Sequence, residues 1–245
     1  MPFSLTQISQ NYAINYNDIK LWCHLNASSG STVTDNSINS TDGITSNMDN
    51  SNWGAGHLNN ALTFDGVNES VGFGNILNFD LYNTFSLECW YKGTYAGEFG
   101  SLICKQDLVA APRTGYSMAL SNSGTGITFL LINTVVATGN RIQITTTGNN
   151  LNNNAWHHII CTYDGSSSAS GCHVWIDGVD VPFTTIYDNL TSSILTTNQL
   201  EFGMRNNTNY LSGTLDECVV YGIALTPEQV TFRYNSGLGT ETHSW

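Results

Sequence analysis

Phe85, Leu87, Cys89 and Tyr91 alternate with Ser86, Glu88, Trp90 and Lys92. On an extended chain successive side chains point to opposite faces, so this run presents one apolar face and one mixed face and reads as a strand. Ile19, Leu21, Cys23 and Leu25 alternate with Lys20, Trp22 and His24 in the same way. Short strand-like runs recur at 61–64, 70–73, 101–104, 116–121, 127–132, 141–147, 156–163, 172–176, 199–203 and 213–221, separated by Gly and Asn. Many short strands at near-regular spacing call for two antiparallel sheets packed face to face. The expected fold is an all-β sandwich, and the length suits one domain.

That domain is expected over 18–245, preceded by a polar leader, 1–17, able to serve as a docking arm. One short helix near the C-terminus has start signals, with Thr226 as N-cap, Pro227 in the first helical position and Gln229 three residues after the cap; Gly237 is the expected stop. Residues 26–60 are rich in Ser, Thr, Asn, Asp and Gly and read as a long ordered loop or loosely paired segment. A stretch of that length needs a tether.

Charge narrows the partners. With 7 Lys+Arg against 19 Asp+Glu and a formal charge of −12, the surface repels phosphate backbones and anionic membranes, so nucleic acid is not an expected partner. No apolar run approaches the ~20 residues that span a bilayer, so membrane insertion is not expected either. Residues 1–7 carry neither a basic nor an apolar region of the kind that directs secretion. Cys23, Cys89, Cys104, Cys161, Cys172 and Cys218 lack C-x-x-C spacing and sit in or beside apolar segments. They are expected as free core thiols, with a bridge between neighbouring strands as the alternative. Asn26, Asn39, Asn68, Asn189 and Asn206 begin N-x-Ser/Thr sequons, which chance supplies in a chain this rich in Asn, Ser and Thr.

Several motifs follow one another in a telling order. They are Asp35-Asn36-Ser37, Ala61-Leu62-Thr63-Phe64-Asp65-Gly66, Phe85 to Trp90, Trp156-His157-His158, Trp175-Ile176-Asp177-Gly178, Gly213 to Tyr221 with its Asp216-Glu217 pair, and Ala224-Leu225-Thr226. In this order, over residues 19 to about 237, the chain resembles the LamG-like jelly roll of the concanavalin A-like lectin/glucanase superfamily. The resemblance implies a jelly-roll sandwich and a binding role more often than a catalytic one. It also implies a structural calcium ion held by Asp35, Ser37 and Asp216, with Asp42, Asn39 or backbone carbonyls completing the shell; calcium favours several oxygen ligands. The alternative is that Asp35 and Asp42 make Asx-type turns and Asp216 only hydrogen-bonds backbone.

His157 and His158 fall on opposite faces of one strand and cannot chelate one ion together, so both read as structural histidines. Glycoside hydrolysis usually needs two carboxyl groups about 5 to 9.5 Å apart. The Glu-x-Asp-x-x-Glu pattern of the superfamily's glucanases is missing, Glu88 and Glu201 lack an acidic partner in their strands, and Asp216 and Glu217, being adjacent, are expected to face opposite ways. The expectation is a protein that is not an enzyme.

Carbohydrate recognition calls for an aromatic platform with Asn, Asp and Gly on loops. Three stretches supply those residue types: 93–100 with Tyr95 and Phe99, 106–116, and 205–210 with Arg205, Asn206, Asn207, Asn209 and Tyr210. The function expected is adhesion or attachment through a surface glycan, as a component of a virion such as a phage or virus capsid or tail, with other particle proteins and further copies of itself as partners. A secreted carbohydrate-binding lectin module is the alternative, and a glycoside hydrolase a lesser one.

Overall fold

The computed structural model describes residues 13–94, 99–107, 113–121, 124–135 and 139–241. Among these residues, β1 (Ile19–Cys23), β4 (Trp53–Ala55), β5 (Asn60–Asp65), β7 (Phe85–Lys92), β12 (Trp156–Tyr163), β13 (Cys172–Ile176), β14 (Val179–Asp180) and β17 (Ser212–Tyr221) form one sheet. Its order is β14-β13-β12-β7-β17-β5-β4, with β1 also on β17. The second sheet holds β2 (Thr32–Val33), β3 (Gly43–Ser46), β6 (Ser70–Gly72), β8 (Ser101–Gln106), β9 (Gly115–Leu120), β10 (Ile127–Thr134), β11 (Asn140–Thr145), β15 (Thr184–Asp188) and β16 (Glu201–Phe202). Its order is β15-β11-β10-β9-β8-β16-β6-β3-β2. The result is the two-sheet antiparallel jelly roll that the alternation and the motif order call for.

The main core lies between the sheets, where one face of each sheet interdigitates with the other. Phe85, Leu87, Cys89 and Tyr91 of β7 meet Phe129 and Leu131 of β10 and Tyr116 and Met118 of β9 in one cluster. Phe85 anchors it: its ring centroid lies 4.9 Å from Phe79, 5.0 Å from Tyr116 and 5.7 Å from Tyr163. Truncation of such a ring to Ala costs about 3–5 kcal/mol.

A second, smaller cluster covers the outer face of the first sheet, where Ile160, Trp175, Val219 and Tyr221 pack with Trp22, Leu225 and Val230. Val230 comes from α1 (Pro227–Tyr234), whose Thr226 cap closes a reciprocal box with Gln229. The helix stops earlier than the sequence suggests. Asn235 takes the left-handed conformation at φ 48° and ends it, since an Asn side chain tolerates that region. No helix among the described residues is long and apolar enough to cross a membrane.

The described part of the leader, 13–17, packs on the domain. Ile14 is buried in the second cluster, Gln229 Nε2 donates to the carbonyl of Ala13, and Tyr16 Oη donates to the carbonyl of Asn36. Burial of the apolar Ile14 favours this packing. The 26–60 segment contains three short strands, β2, β3 and β4, which is why it reads as loosely paired: none is long enough to show alternation. All six cysteines are free and buried, as the apolar contexts led us to expect.

Candidate functional site

Two polar regions lie outside the main core, one on the outer face of each sheet. On the first sheet, β17 carries the Asp216-Glu217 pair. Asp216 lies opposite Trp90 and Val219 opposite Glu88, so β17 contributes one residue more than β7 over this interval. Glu217 is that extra residue, in the left-handed region at φ 47°. A bulge of this kind breaks the strand's alternation, and the two carboxylates do not straddle the sheet as expected. Glu217 reaches Trp22 Nε1 at 3.2 Å and His24 Nδ1 at 2.6 Å, on the side of the second cluster.

Each carboxylate of the expected calcium site is already engaged by donors. Asp35 accepts from the backbone N–H groups of Trp22, Ser37 and Thr41 and from Ser37 Oγ, at 2.8–3.0 Å. Asp42 accepts from Asp35 N–H. Asp216 accepts from the N–H groups of His57, Leu58 and Glu217, each at 2.8 Å. These carboxylates are thus built into the fold's own hydrogen bonds, and the long 26–60 segment is tethered by groups that hold backbone N–H directly. Burial, with the Glu217 carboxylate beside it, pushes Asp216 up to about 7 against the opposing pull of those N–H groups. Among the described residues the group of three His, Cys, Asp or Glu whose ligand atoms converge within 4.8 Å is His24, Glu217 and Glu241; here too Trp22 and Asn26 and Asn59 already donate to the carboxylates.

The histidines are structural. His158 Nε2 pairs with Glu88 at 2.9 Å in a fully buried setting, and His157 Nδ1 with Asp177 at 2.8 Å.

The outer face of the second sheet is different. Thr128, Leu130 and Ile132 alternate with core residues Ile127, Phe129 and Leu131, and Arg141, Gln143 and Thr145 alternate with core residues Ile142 and Ile144. Cross-strand register lines these residues into lanes. Tyr187, Gln143, Leu130, Ser117, Cys104 and Glu201 follow one another across six strands, flanked by Arg141, Ile132, Gly115 and Gln106 on one side and by Thr145, Thr128, Ala119 and Ser101 on the other. Two cavities of about 310 and 150 Å³ open on this surface and share Phe99, Thr128 and Gln143 as walls. A wider hollow of about 560 Å³ at the rim is lined by Asn75, Asn78, Asp107, Thr114 and Leu195 to Thr197.

Of the residues expected at a ligand site, the structure brings Phe99, Arg205 and Asn209 together at this groove. Phe99 adopts φ 51°, a conformation that costs a bulky residue about 1–2 kcal/mol. Its ring lines both cavities, and Arg205 Cζ lies 5.6 Å from the ring centroid. Asn209 orients Arg205 by accepting from its Nη2 at 2.8 Å, and its carbonyl accepts from Ser101 N–H. Asn206 faces elsewhere, donating its N–H to Glu201 and its amide to Asp107. Asn206, Asn207 and Asn209 all have positive φ, which makes them turn builders first. Tyr210 is half-buried and lines neither cavity, and Tyr95 lies outside the described residues.

Gln106 and Arg113, from the 106–116 stretch, also line the groove, and so do Arg141 and Gln143, which no recognition loop included. Arg141 and Gln143 were visible as polar residues alternating with Ile142 and Ile144; that they meet Arg205 depends on strand order.

A two-sheet jelly roll with a long groove on one outer face is a lectin-like domain. The chain belongs to the concanavalin A-like lectin/glucanases superfamily, whose laminin G-type profile matches residues 65–231, more than half of the sequence. Comparison with curated proteins yields no match. Among solved structures, the chain is similar to the binding domain of Paraclostridial Mosquitocidal Protein 1, with TM-score 0.67 and 17% identity over 91% of this chain and 53% of that one. It is similar to the botulinum neurotoxin serotype D ligand binding domain in complex with N-acetylneuraminic acid, with TM-score 0.61 and 14% identity over 90% and 51%. It is also similar to Trypanosoma rangeli sialidase in complex with sialic acid, with TM-score 0.62 and 11% identity over 96% and 38%. The chain thus spans about half or less of these solved chains. At such identities the likeness is one of fold, and the fold occurs both in binding domains and within an enzyme chain.

Proposed function

We propose that the protein is a non-catalytic attachment domain that binds carbohydrate in the groove on the outer face of the second sheet. The observation that carries this reading is the composition of the groove: an aromatic ring held in a strained backbone conformation, Phe99, beside a floor of Thr128, Leu130, Ser117 and Gln143. Sugars present alternating hydroxyl edges and apolar faces, and a site of this kind offers a ring and aliphatic surface to one and amides and hydroxyls to the other. That the similar solved structures include complexes with sialic acid agrees with a glycan ligand.

The non-catalytic part of the reading rests on the carboxylates. Neither groove cavity is lined by Asp or Glu among the described residues. Glu201 is the carboxylate nearest in register, and both of its oxygens are engaged, by Gln199 Nε2 and by Asn206 N–H. General acid and base groups have to converge on a scissile bond, and the described walls of the two cavities offer no such pair.

A glycan array of the purified protein tests the reading. Saturable binding that falls at least tenfold in Phe99→Ala and Gln143→Ala is expected, with no release of reducing ends from any bound glycan. A clean negative from folded protein, or turnover abolished by Glu201→Gln, overturns it. Carriage on a virion is a further part of the proposal, and immunogold labelling of intact particles from the source is its test.

A further inference from the structure

The groove concentrates charge of one sign. The whole chain has 7 Lys+Arg against 19 Asp+Glu, yet three of those seven cations, Arg113, Arg141 and Arg205, line one cavity whose walls, among the described residues, include no acidic side chain. The remaining cations are dispersed: Arg233 is buried against Glu88, Lys105 holds Asn75, Lys20 holds the Asn17 carbonyl, and Lys92 lies over the Trp156 ring. In a domain of net charge −12, three arginines at one place with no carboxylate among the described walls repel one another.

Their donors are held ready. Arg141 stacks on Tyr187, with Cζ 3.5 Å from the ring centroid, and Arg205 is braced between Phe99 and Asn209. In both, Nε is buried without a hydrogen-bond partner. Gln106 Oε1 is likewise buried and unpartnered, on a residue that is only 2% exposed and lines the same cavity. Burial, together with the nearby Arg113 charge, pulls Arg205 below its ordinary value. Buried polar atoms in a folded protein are nearly always paired, and several unpaired in one cavity mark a place where a ligand supplies the partner.

We infer that the groove takes a carboxylate-bearing sugar, with Arg113, Arg141 and Arg205 receiving the carboxylate and Gln106 accepting from a ring substituent. This rests on the carbohydrate-binding reading above and names the class of sugar. The planar guanidinium fork matches a carboxylate through two parallel N–H···O bonds, and the rings of Phe99 and Tyr187 supply a flank for the sugar face.

Calorimetric titration with 3′-sialyllactose, with lactose and with a sulfated heparin disaccharide separates the possibilities. 3′-Sialyllactose is expected to bind at least tenfold more tightly than lactose, and the difference shrinks as salt rises because part of the attraction is screened. Arg141→Gln and Arg205→Gln should abolish the preference, so that 3′-sialyllactose and lactose bind alike in each variant. Arg113 is exposed, so Arg113→Gln removes a charge without a packing change and should lower the preference by itself. Equal affinity for 3′-sialyllactose and lactose, both lost in Gln143→Ala, overturns the acidic-sugar inference and leaves the carbohydrate reading standing. Arginine-dependent binding of the heparin disaccharide alone overturns the carboxylate assignment, and no binding of any probe by folded protein overturns both readings.

Discussion

Arg233 Nε donates to both carboxylate oxygens of Glu88, at 3.0 and 3.2 Å, and joins α1 to the middle of the first sheet. The pair is fully buried, and His158 Nε2 and Tyr221 Oη complete the shell of the carboxylate at 2.9 and 2.6 Å. Arg233 Nη1 also donates to the carbonyl of Thr240 and so fixes the segment after the helix. Removing one partner of a buried pair leaves the other charge uncompensated, a larger loss than the pair's net contribution.

Glu88→Gln is therefore expected to cost about 3–5 kcal/mol in urea unfolding. It should also change the acid limb of the stability curve. Burial raises the Glu88 carboxyl, but the Arg233 charge, with hydrogen bonds from His158 and Tyr221, outweighs that and holds it at about 2. Because the folded value lies below the unfolded one, the stabilisation is present above the ordinary carboxylate range and is lost as pH falls toward 2, on the order of 3 kcal/mol in all. Unfolding monitored from pH 6 to pH 2 should show this loss in the wild type and a flatter limb in Glu88→Gln; parallel curves would mean that Glu88 is not the group responsible.

Asp35 tethers the 26–60 segment through N–H groups, which makes chelation a sharp test. EDTA is expected to leave the melting temperature unchanged, whereas Asp35→Ala, which strands the N–H groups of Trp22, Ser37 and Thr41, should cost at least about 1–3 kcal/mol. A fall in melting temperature with EDTA that calcium restores would bring the ion back.

The six thiols make a third prediction. Burial raises all those of β1, β7, β8, β12, β13 and β17, and it is the thiolate that reacts with disulfide reagents. Native protein should give almost no colour with DTNB, and protein in guanidinium chloride should release six equivalents, the number of cysteines. Fewer than six after denaturation without reductant would point to a bridge, and Cys23 and Cys218, registered opposite each other, would be the first pair to examine.

Alternation made much of the fold readable. β7, β12 and β13 run over the residues expected of them because each shows an apolar face or a nearly continuous apolar run. Thr184–Asp188 was missed for the converse reason: it is an edge strand with mostly exposed side chains, held by its ladder to β11 and carrying no apolar rhythm. The groove was half readable. Phe99, Arg205 and Asn209 stood out as an aromatic and its polar neighbours on loops, and Arg113 lies in the 106–116 loop stretch, but Arg141 joins them only through the order β11-β10-β9-β8-β16. Strand order is a property of long-range packing, and nothing local to Arg141 encodes its distance from Arg205.

The bulge in β17 has a consequence for what this strand carries. Because Asp216 keeps Trp90 and Val219 keeps Glu88 as partners on either side of it, Glu217 is a residue that the ladder does not count. Toward β7, the pairs on either side of it are therefore in phase with each other, with Asp216 and Val219 on one face of the sheet. The middle of this strand pair thus carries a residue whose side chain serves the outer face, where it holds Trp22 and His24, while its place in the strand adds nothing to the pairing with β7.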